Sequence, residues 1–230
     1  MATLFASAHI RYAVVDGAIV LLDLRLEQYL ILNQAATAMW QALVFVENRQ
    51  DRLLWLEEEF KVPTEVLAMD LAEFEQDCVA RLYLQYAPPA ESGSSRRLNT
   101  RPTFSALRAW WSLLSTTHKL KRLGFAQTYD EYSRLVAPPV PEYELSSLIL
   151  RTERAFSFAE NFFVMKRAPK DCLPRSLALY RFLRSAGIPA NHCIGVRRHP
   201  FEAHAWVQCQ DRVMFDSSFE VGFYTVLSRL

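Results

Sequence analysis

The chain has 230 residues, 51% hydrophobic and 13% aromatic, with a formal net charge of +1. That is ample for one large core or two small ones, and it excludes a partner chosen by bulk charge alone. Charge is uneven along the chain: residues 51–91 hold ten acids against three bases, and residues 96–134 hold eight bases against two acids. Two solvated helix faces account for this pattern, with phosphate, ATP or nucleic-acid binding as the alternative. The four cysteines, 78, 172, 193 and 209, have no CxxC spacing. Residues 1–10 lack a basic, then apolar, signal pattern, and no window of about 18 apolar residues suggests a membrane span. Free thiols in a reducing cytoplasm are expected.

In chain order, residues 9–32 read as three short strands. His9–Val15 leads into Asp16-Gly17, a hairpin signal, and Ala18–Leu22 returns. Glu27–Leu32 forms the third strand, with Tyr29 and Ile31 on one face. Asn33 caps a helix from Gln34 to about Phe45, residues 51–60 make a second, and Pro63 opens a third reaching about Tyr86. Val66, Leu67, Leu71, Phe74, Cys78 and Leu82 form the inner face of that third helix.

This order, and above all the stretch Tyr29-Leu30-Ile31-Leu32-Asn33-Gln34-Ala35-Ala36-Thr37-Ala38-Met39-Trp40, resembles the RiPP recognition element, the winged-helix-like domain related to PqqD. The resemblance implies that residues 1–86 bind the leader of a precursor peptide as a strand added beside the third strand. Main-chain hydrogen bonds would supply affinity and side-chain pockets selectivity. The contact residues would be Tyr29, Leu30, Ile31 and Leu32, with Leu71, Phe74 and Cys78 of the third helix. An ordinary winged-helix domain is the alternative, but the acidic third helix argues against DNA.

Residues 87–103 read as a linker, Ala-Pro-Pro-Ala-Glu-Ser-Gly-Ser-Ser followed by Arg96-Arg97. A second domain, 104–230, opens with a helix marked by Leu107, Trp110, Trp111, Leu114 and Leu120 and ending near Gly124. A Pro-rich break at 137–141 precedes a long helix, about 143–165. Next comes a helix with Cys172 in its opening turn, after Pro169 and a capping Asp171, with Pro174 in the first turn and Gly187 as its stop. A thiol there feels the positive end of the helix dipole, and nearby N–H groups suit an oxyanion. Period-two strands follow at Asn191–Arg197, Ala203–Cys209 and Arg212–Asp216, with a fourth over Val221–Leu227. Helices first and antiparallel sheet afterwards is an α+β order.

Cys172, His204 and Asp216 have the residue types and chain order of a nucleophile, its base and the acid that orients the base. That order, thiol on a helix and partners on strands, is papain-like and transglutaminase-like. Strand parity supplies a test. A three-residue loop at Gln210-Asp211-Arg212 would pair Trp206 with Asp216 and bring Asp216 to the face of His204. A two-residue turn would send Asp216 to the opposite face. The triad therefore requires an odd loop or a bulge.

The strings Asp-Cys-Leu-Pro-Arg-Ser-Leu-Ala-Leu (171–179), Gly-Ile-Pro-Ala (187–190), Ile-Gly-Val (194–196), Phe-Glu-Ala-His-Ala-Trp-Val (201–207) and Phe-Asp (215–216) resemble the B protein of lasso-peptide biosynthesis. That family joins a recognition element to a transglutaminase-like cysteine protease. The resemblance implies that Cys172 is the nucleophile, His204 the general base and acid, and Asp216 the orienting carboxylate. It implies removal of the leader from a lasso precursor and transfer of the freed core to a cyclase resembling asparagine synthetase, with ATP dependence in the family's processing. No Gly-rich phosphate loop is present, so no nucleotide site is assigned; no nucleic acid or membrane is expected as partner. Cys78, Cys193 and Cys209 read as packing residues and Trp206 as support for the histidine, with His199 and Glu202 lining the cleft. A zinc site from His192, Cys193, His199 and Cys209 is disfavoured, because adjacent strand residues face opposite ways and no pair has ligand spacing. A transglutaminase-like acyltransferase and a non-catalytic precursor-presenting chaperone are the competing readings.

Overall fold

The computed structural model describes residues 4–88, 96–97, 106–162 and 172–230. The chain divides into two compact units, Met1–Glu91 and Ser92–Leu230. Most of the stretch expected as a linker lies outside the described residues, as do Pro169 and Asp171.

In the first unit, β1 (Phe5–Ala6), β2 (Ile10–Val15), β3 (Ala18–Asp23) and β4 (Gln28–Ile31) precede α1 (Gln34–Phe45), α2 (Arg49–Phe60), α3 (Thr64–Ala80) and β5 (Leu84–Gln85). The sheet order is β2-β3-β4, all antiparallel, and β1 pairs separately with β5. Asp16 and Gly17 both take positive φ, 47° and 75°, which matches the twist of the hairpin they close. Asn33 starts α1 by accepting the Ala36 N–H at 2.8 Å, satisfying an orphan donor of the first turn. One turn on, the Thr37 hydroxyl accepts from Ile19 N–H (3.1 Å) and donates to the Leu32 carbonyl, fastening the helix to the sheet. Trp40, fully buried, meets Tyr12 edge-on at 5.5 Å within the core.

The third helix stops at Ala80, short of the expected Tyr86. Leu82 takes a left-handed φ of 62°, its N–H bonds the Val79 carbonyl, and the Tyr83 N–H bonds the Cys78 carbonyl at 2.8 Å. This is a Schellman stop built without glycine. It turns the chain so that Leu84 is buried beside β1. Leu82 and Val66, expected on the inner face, are both exposed.

The second unit contains β6 (Arg96–Arg97), α4 (Ala106–Ser133), β7 (Leu135–Val136), α5 (Glu142–Phe162), α6 (Cys172–Ser185), β8 (Ala190–Arg197), β9 (Glu202–Cys209), β10 (Arg212–Met214), α7 (Ser218–Val221) and β11 (Thr225–Arg229). Gly124, at φ 78° and ψ 174°, kinks α4 where a helix end was expected, and helix resumes to Ser133. The buried side of its first half is Ala109, Ser112, Leu113 and Thr116, while Leu107, Trp111 and Leu114 are exposed. The sheet order is β10-β9-β8-β11, antiparallel throughout. Its last strand begins at Thr225, four residues later than expected, because Ser217 caps the short α7 first.

Helix α6 is the buried axis of this unit. Leu177, Ala178, Leu179, Tyr180, Phe182 and Leu183 are all within 3% of full burial. Ser112 donates to the Ala178 carbonyl at 2.8 Å, and Ser176 and His192 Nε2 share a buried hydrogen bond at 2.9 Å, joining α6 to α4 and to β8. At its end Gly187 takes φ 89°, and Ile188 N–H closes on the Leu183 carbonyl. A Cβ at Gly187 would collide with Val140 Cγ2, so the same residue ends the helix and admits the 137–141 segment.

Candidate active site

Cys172 is the first residue of α6, half-buried at the end where unpaired helix N–H groups gather. His204 lies on β9 and Asp216 just beyond β10. Their side chains converge: His204 Nε2 stands 3.4 Å from Asp216 Oδ1, and the imidazole also hydrogen-bonds the Cys172 thiol. Nε2 is the ring nitrogen turned to the carboxylate. The 3.4 Å separation is longer than a tight charge-assisted hydrogen bond.

The expected three-residue loop does not occur. Arg212 pairs with Cys209, Val213 with Gln208 and Met214 with Val207, leaving the two-residue turn Gln210-Asp211. Continued in register, β10 would pair Phe215 with Trp206 and carry Asp216 to the wrong face. Instead the strand stops at Met214 and Phe215 takes a left-handed φ of 64°. That single residue reverses the parity and returns Asp216 to His204. The irregularity required by the triad is therefore at Phe215, not in the hairpin loop, and the pairing of Trp206 with Asp216 is replaced.

The departure of β10 also uncovers the edge of β9 at Ala205. The Ala205 N–H, which would have bonded the next β10 residue, is directed at the Cys172 sulfur. Burial alone pushes the thiol up, but hydrogen bonds from His204, Ala205 N–H and Leu173 N–H, with the charge of His204, take it below its ordinary value. His204 is raised to about 9, chiefly by its hydrogen bond to Asp216 and then by that to Cys172, against the cost of burial. The imidazole is thus charged at neutral pH, and the thiolate beside it forms more readily than an ordinary thiol would allow. The other three cysteines lie 0–3% exposed with thiols pushed up by burial, Cys78 to about 12. All four cysteines are free.

The surroundings hold the imidazole in plane. Trp206 stacks beneath it at 6.1 Å and 14°, and Tyr224 approaches at 5.6 Å. Gly195 makes room for the indole, since a Cβ there would stand 2.8 Å from Trp206 Cη2. A cleft of about 330 Å³ opens beside His204 and Asp216, lined also by Arg197, Glu202, Glu220, Phe223 and Tyr224. Glu202 thus borders the site as expected, whereas His199 sits in the exposed turn after β8 and does not line it. Among the described residues, no group of three or more His, Cys, Asp or Glu is arranged to hold a metal ion, and no helix is long and apolar enough to cross a membrane. His192 is wholly enclosed and bonded to Ser176.

The residues expected to grip a leader lie in the first unit. β4 is the last strand of its sheet, and a groove of about 230 Å³ between β4 and α3 is lined by Leu30, Leu32, Phe74 and Cys78 together with Leu21, Trp40, Asp77, Arg81 and Tyr83. Tyr29 and Ile31 occupy the other face of β4, by strand alternation. Leu71 is buried and lines a separate cavity beside α2 instead. The Leu32 N–H bonds the Ile19 carbonyl at 2.9 Å. By the same alternation the Leu30 N–H points into the sheet and the Ile31 N–H points out.

Comparison with known proteins adds three findings. Residues 110–229, just over half of the chain, match the transglutaminase-like superfamily. The chain is also 47% identical over 47 residues to the microcin J25-processing protein McjB of Escherichia coli, a match covering 20% of this chain and 23% of that protein. The chain therefore spans under a quarter of that relative's length. No solved structure matches the chain.

Alkylation of Cys172 by iodoacetamide is expected to persist at pH values below the ordinary thiol range, because the reactive species is the thiolate. The rate should be lost as pH falls through the lowered thiol pKa. In His204→Ala, burial remains while the largest opposing hydrogen bond is gone, so the rate should rise only at or above the ordinary thiol pKa. Identical pH profiles in the two proteins would contradict the thiolate–imidazolium pair.

Proposed function

The chain belongs to the transglutaminase-like superfamily, and we propose that it is a cysteine peptidase that removes the leader of a lasso-peptide precursor. The observation that carries this reading is the meeting of Cys172, His204 and Asp216 at a helix N-terminus beside an open cleft. The local similarity to a microcin J25-processing protein supports the substrate class.

In the proposed reaction, the Cys172 thiolate attacks the carbonyl carbon of the scissile peptide. The oxyanion that forms lies against the Cys172 N–H at the start of α6. His204, protonated, gives a ring proton to the leaving amine as the C–N bond breaks, and the leader remains as a thioester. Water then attacks the thioester, His204 takes one of its protons, and the leader departs as a carboxylic acid that gives its remaining proton to solvent, with the thiolate restored. Asp216 holds the imidazole and favours its charged form throughout. The freed amine of the core is the group that an asparagine-synthetase-like cyclase would join to an acidic side chain. These steps need no nucleotide of themselves, the ATP dependence that the resemblance implies being proposed for the processing as a whole, and the free thiols suit a cytoplasmic site of action.

The leader is proposed to bind the first unit as a strand beside β4, with apolar side chains in the groove of Leu30, Leu32, Phe74 and Cys78. Asp77 at the rim of that groove is paired with Arg81, which also lines it, at 2.8 Å, so the groove selects the leader by its apolar side chains rather than by charge.

With a precursor peptide, Cys172→Ala is expected to abolish cleavage, read by mass spectrometry, while leaving leader affinity within about twofold, since recognition lies in the other unit. Cleavage by the purified variant would overturn the nucleophile, and transfer of the leader to an added amine in preference to water would favour the acyltransferase. Strand addition has its own test. Ile31→Pro removes an outward N–H and is expected to weaken leader binding about tenfold or more, the worth of one to two backbone hydrogen bonds left unmade. Unchanged affinity in a folded Ile31→Pro protein would exclude strand addition at this edge.

A further inference from the structure

Phe215 is the residue on which the position of Asp216 turns, yet a left-handed φ is costly for phenylalanine, of the order of 1–2 kcal/mol, and no glycine or asparagine is there to make it easy. Something must hold the ring. On one side it meets Phe156 of α5 at 5.7 Å. On the other, the Arg175 guanidinium of α6 lies over it, 5.5 Å from the ring centroid. Arg175 is itself fixed by a two-point pair with Glu160 of α5, Nε to Oε1 at 2.5 Å and an amino group to Oε2 at 3.1 Å. Glu160 is the more sheltered partner, its side chain 18% exposed. Two helices, α5 and α6, thus hold one ring, with Arg175 one helical turn along α6 from Cys172.

We infer that Arg175, anchored by Glu160, is a positioning residue: its guanidinium clamps the Phe215 ring in the left-handed turn that delivers Asp216 to His204. The inference rests on the proposed peptidase reading only for its consequence in catalysis; the geometry of the clamp stands apart from any substrate. A planar cation suits this task better than a lysine, because it can lie flat on a ring while both edges of the fork hold a carboxylate. Arg175 also lies within electrostatic reach of Asp216, so a purely electrostatic role must be distinguished from a positional one. The other titratable groups around His204 are Cys172, Asp216, Glu202 and Tyr224.

The test uses the full chain without substrate, so it is independent of whether a lasso precursor is cut. The rate of Cys172 alkylation by iodoacetamide is followed against pH in the wild type and in Arg175→Lys, Arg175→Met, Phe215→Ala and Asp216→Asn. If the clamp positions Asp216, all four variants should lower the rate near neutral pH severalfold, because the thiol returns toward its ordinary value when His204 loses its carboxylate. In the Asp216→Asn background, Arg175→Met should add less than about twofold, because the carboxylate it positions is already gone. A wild-type profile in Arg175→Lys would overturn the clamp in favour of simple charge, and so would an Arg175→Met effect that persists undiminished in the Asp216→Asn background. If Phe215→Ala does not fold, Arg175→Lys, which keeps the charge, decides the matter.

Discussion

The second unit is organised around a strand edge left open on purpose of geometry: β9 loses its neighbour at Met214, and the sulfur of Cys172 takes the place that the missing strand would have filled. Had β10 run two residues further, the Ala205 N–H would have been consumed in the ladder and Asp216 would have faced away from His204. One interruption therefore supplies both a hydrogen bond to the sulfur and the carboxylate for the imidazole. The remaining architecture serves that meeting point. The buried length of α6 fixes where its first turn lies, and Gly195 lets Trp206 lie flat beneath the histidine.

Much of this was legible in the residues, and the illegible parts share a physical cause. Cys172 announced itself by the proline, apolar period and glycine of its helix, and His204 and Asp216 by residue type and chain order on the strands that follow. Parity could say that an irregularity was needed but not where. Left-handed backbone is readable when glycine marks it, as at Gly17 and Gly187, and silent when tertiary contacts force it on Phe215 or Leu82. For the same reason the end of α3 was misjudged: its Schellman stop uses leucine, and the burial of Leu84 decides the turn. Arg175 stood in the motif Cys-Leu-Pro-Arg, one turn after the cysteine, but its role depends on Glu160 and Phe156 from another helix, which no local pattern reveals. In the first unit, apolar periodicity located α3, but only strand register distinguishes Leu30 and Leu32, which line the groove, from Tyr29 and Ile31 on the opposite face.

The four cysteines illustrate how environment divides one chemistry into two. Cys78, Cys193 and Cys209 are small hydrophobes whose burial makes ionisation harder. Cys172 pays the same burial penalty, yet donors on three sides reverse it. What separates them is where each thiol sits relative to unpaired N–H groups and a basic ring, at a helix start and an open strand edge rather than within a closed layer.

The interaction at the centre of this arrangement is the charged imidazole held between sulfur and carboxylate. It is tested most directly by a pH titration of the His204 ring followed by NMR in the intact protein. The expected midpoint is about 9, with the ring protonated throughout the neutral range and losing its proton, and with it the stabilisation of the ion pair, as pH rises through that value. A midpoint at or below the ordinary 6.5 would mean that neither Cys172 nor Asp216 supports the charge, and the site as described would be wrong.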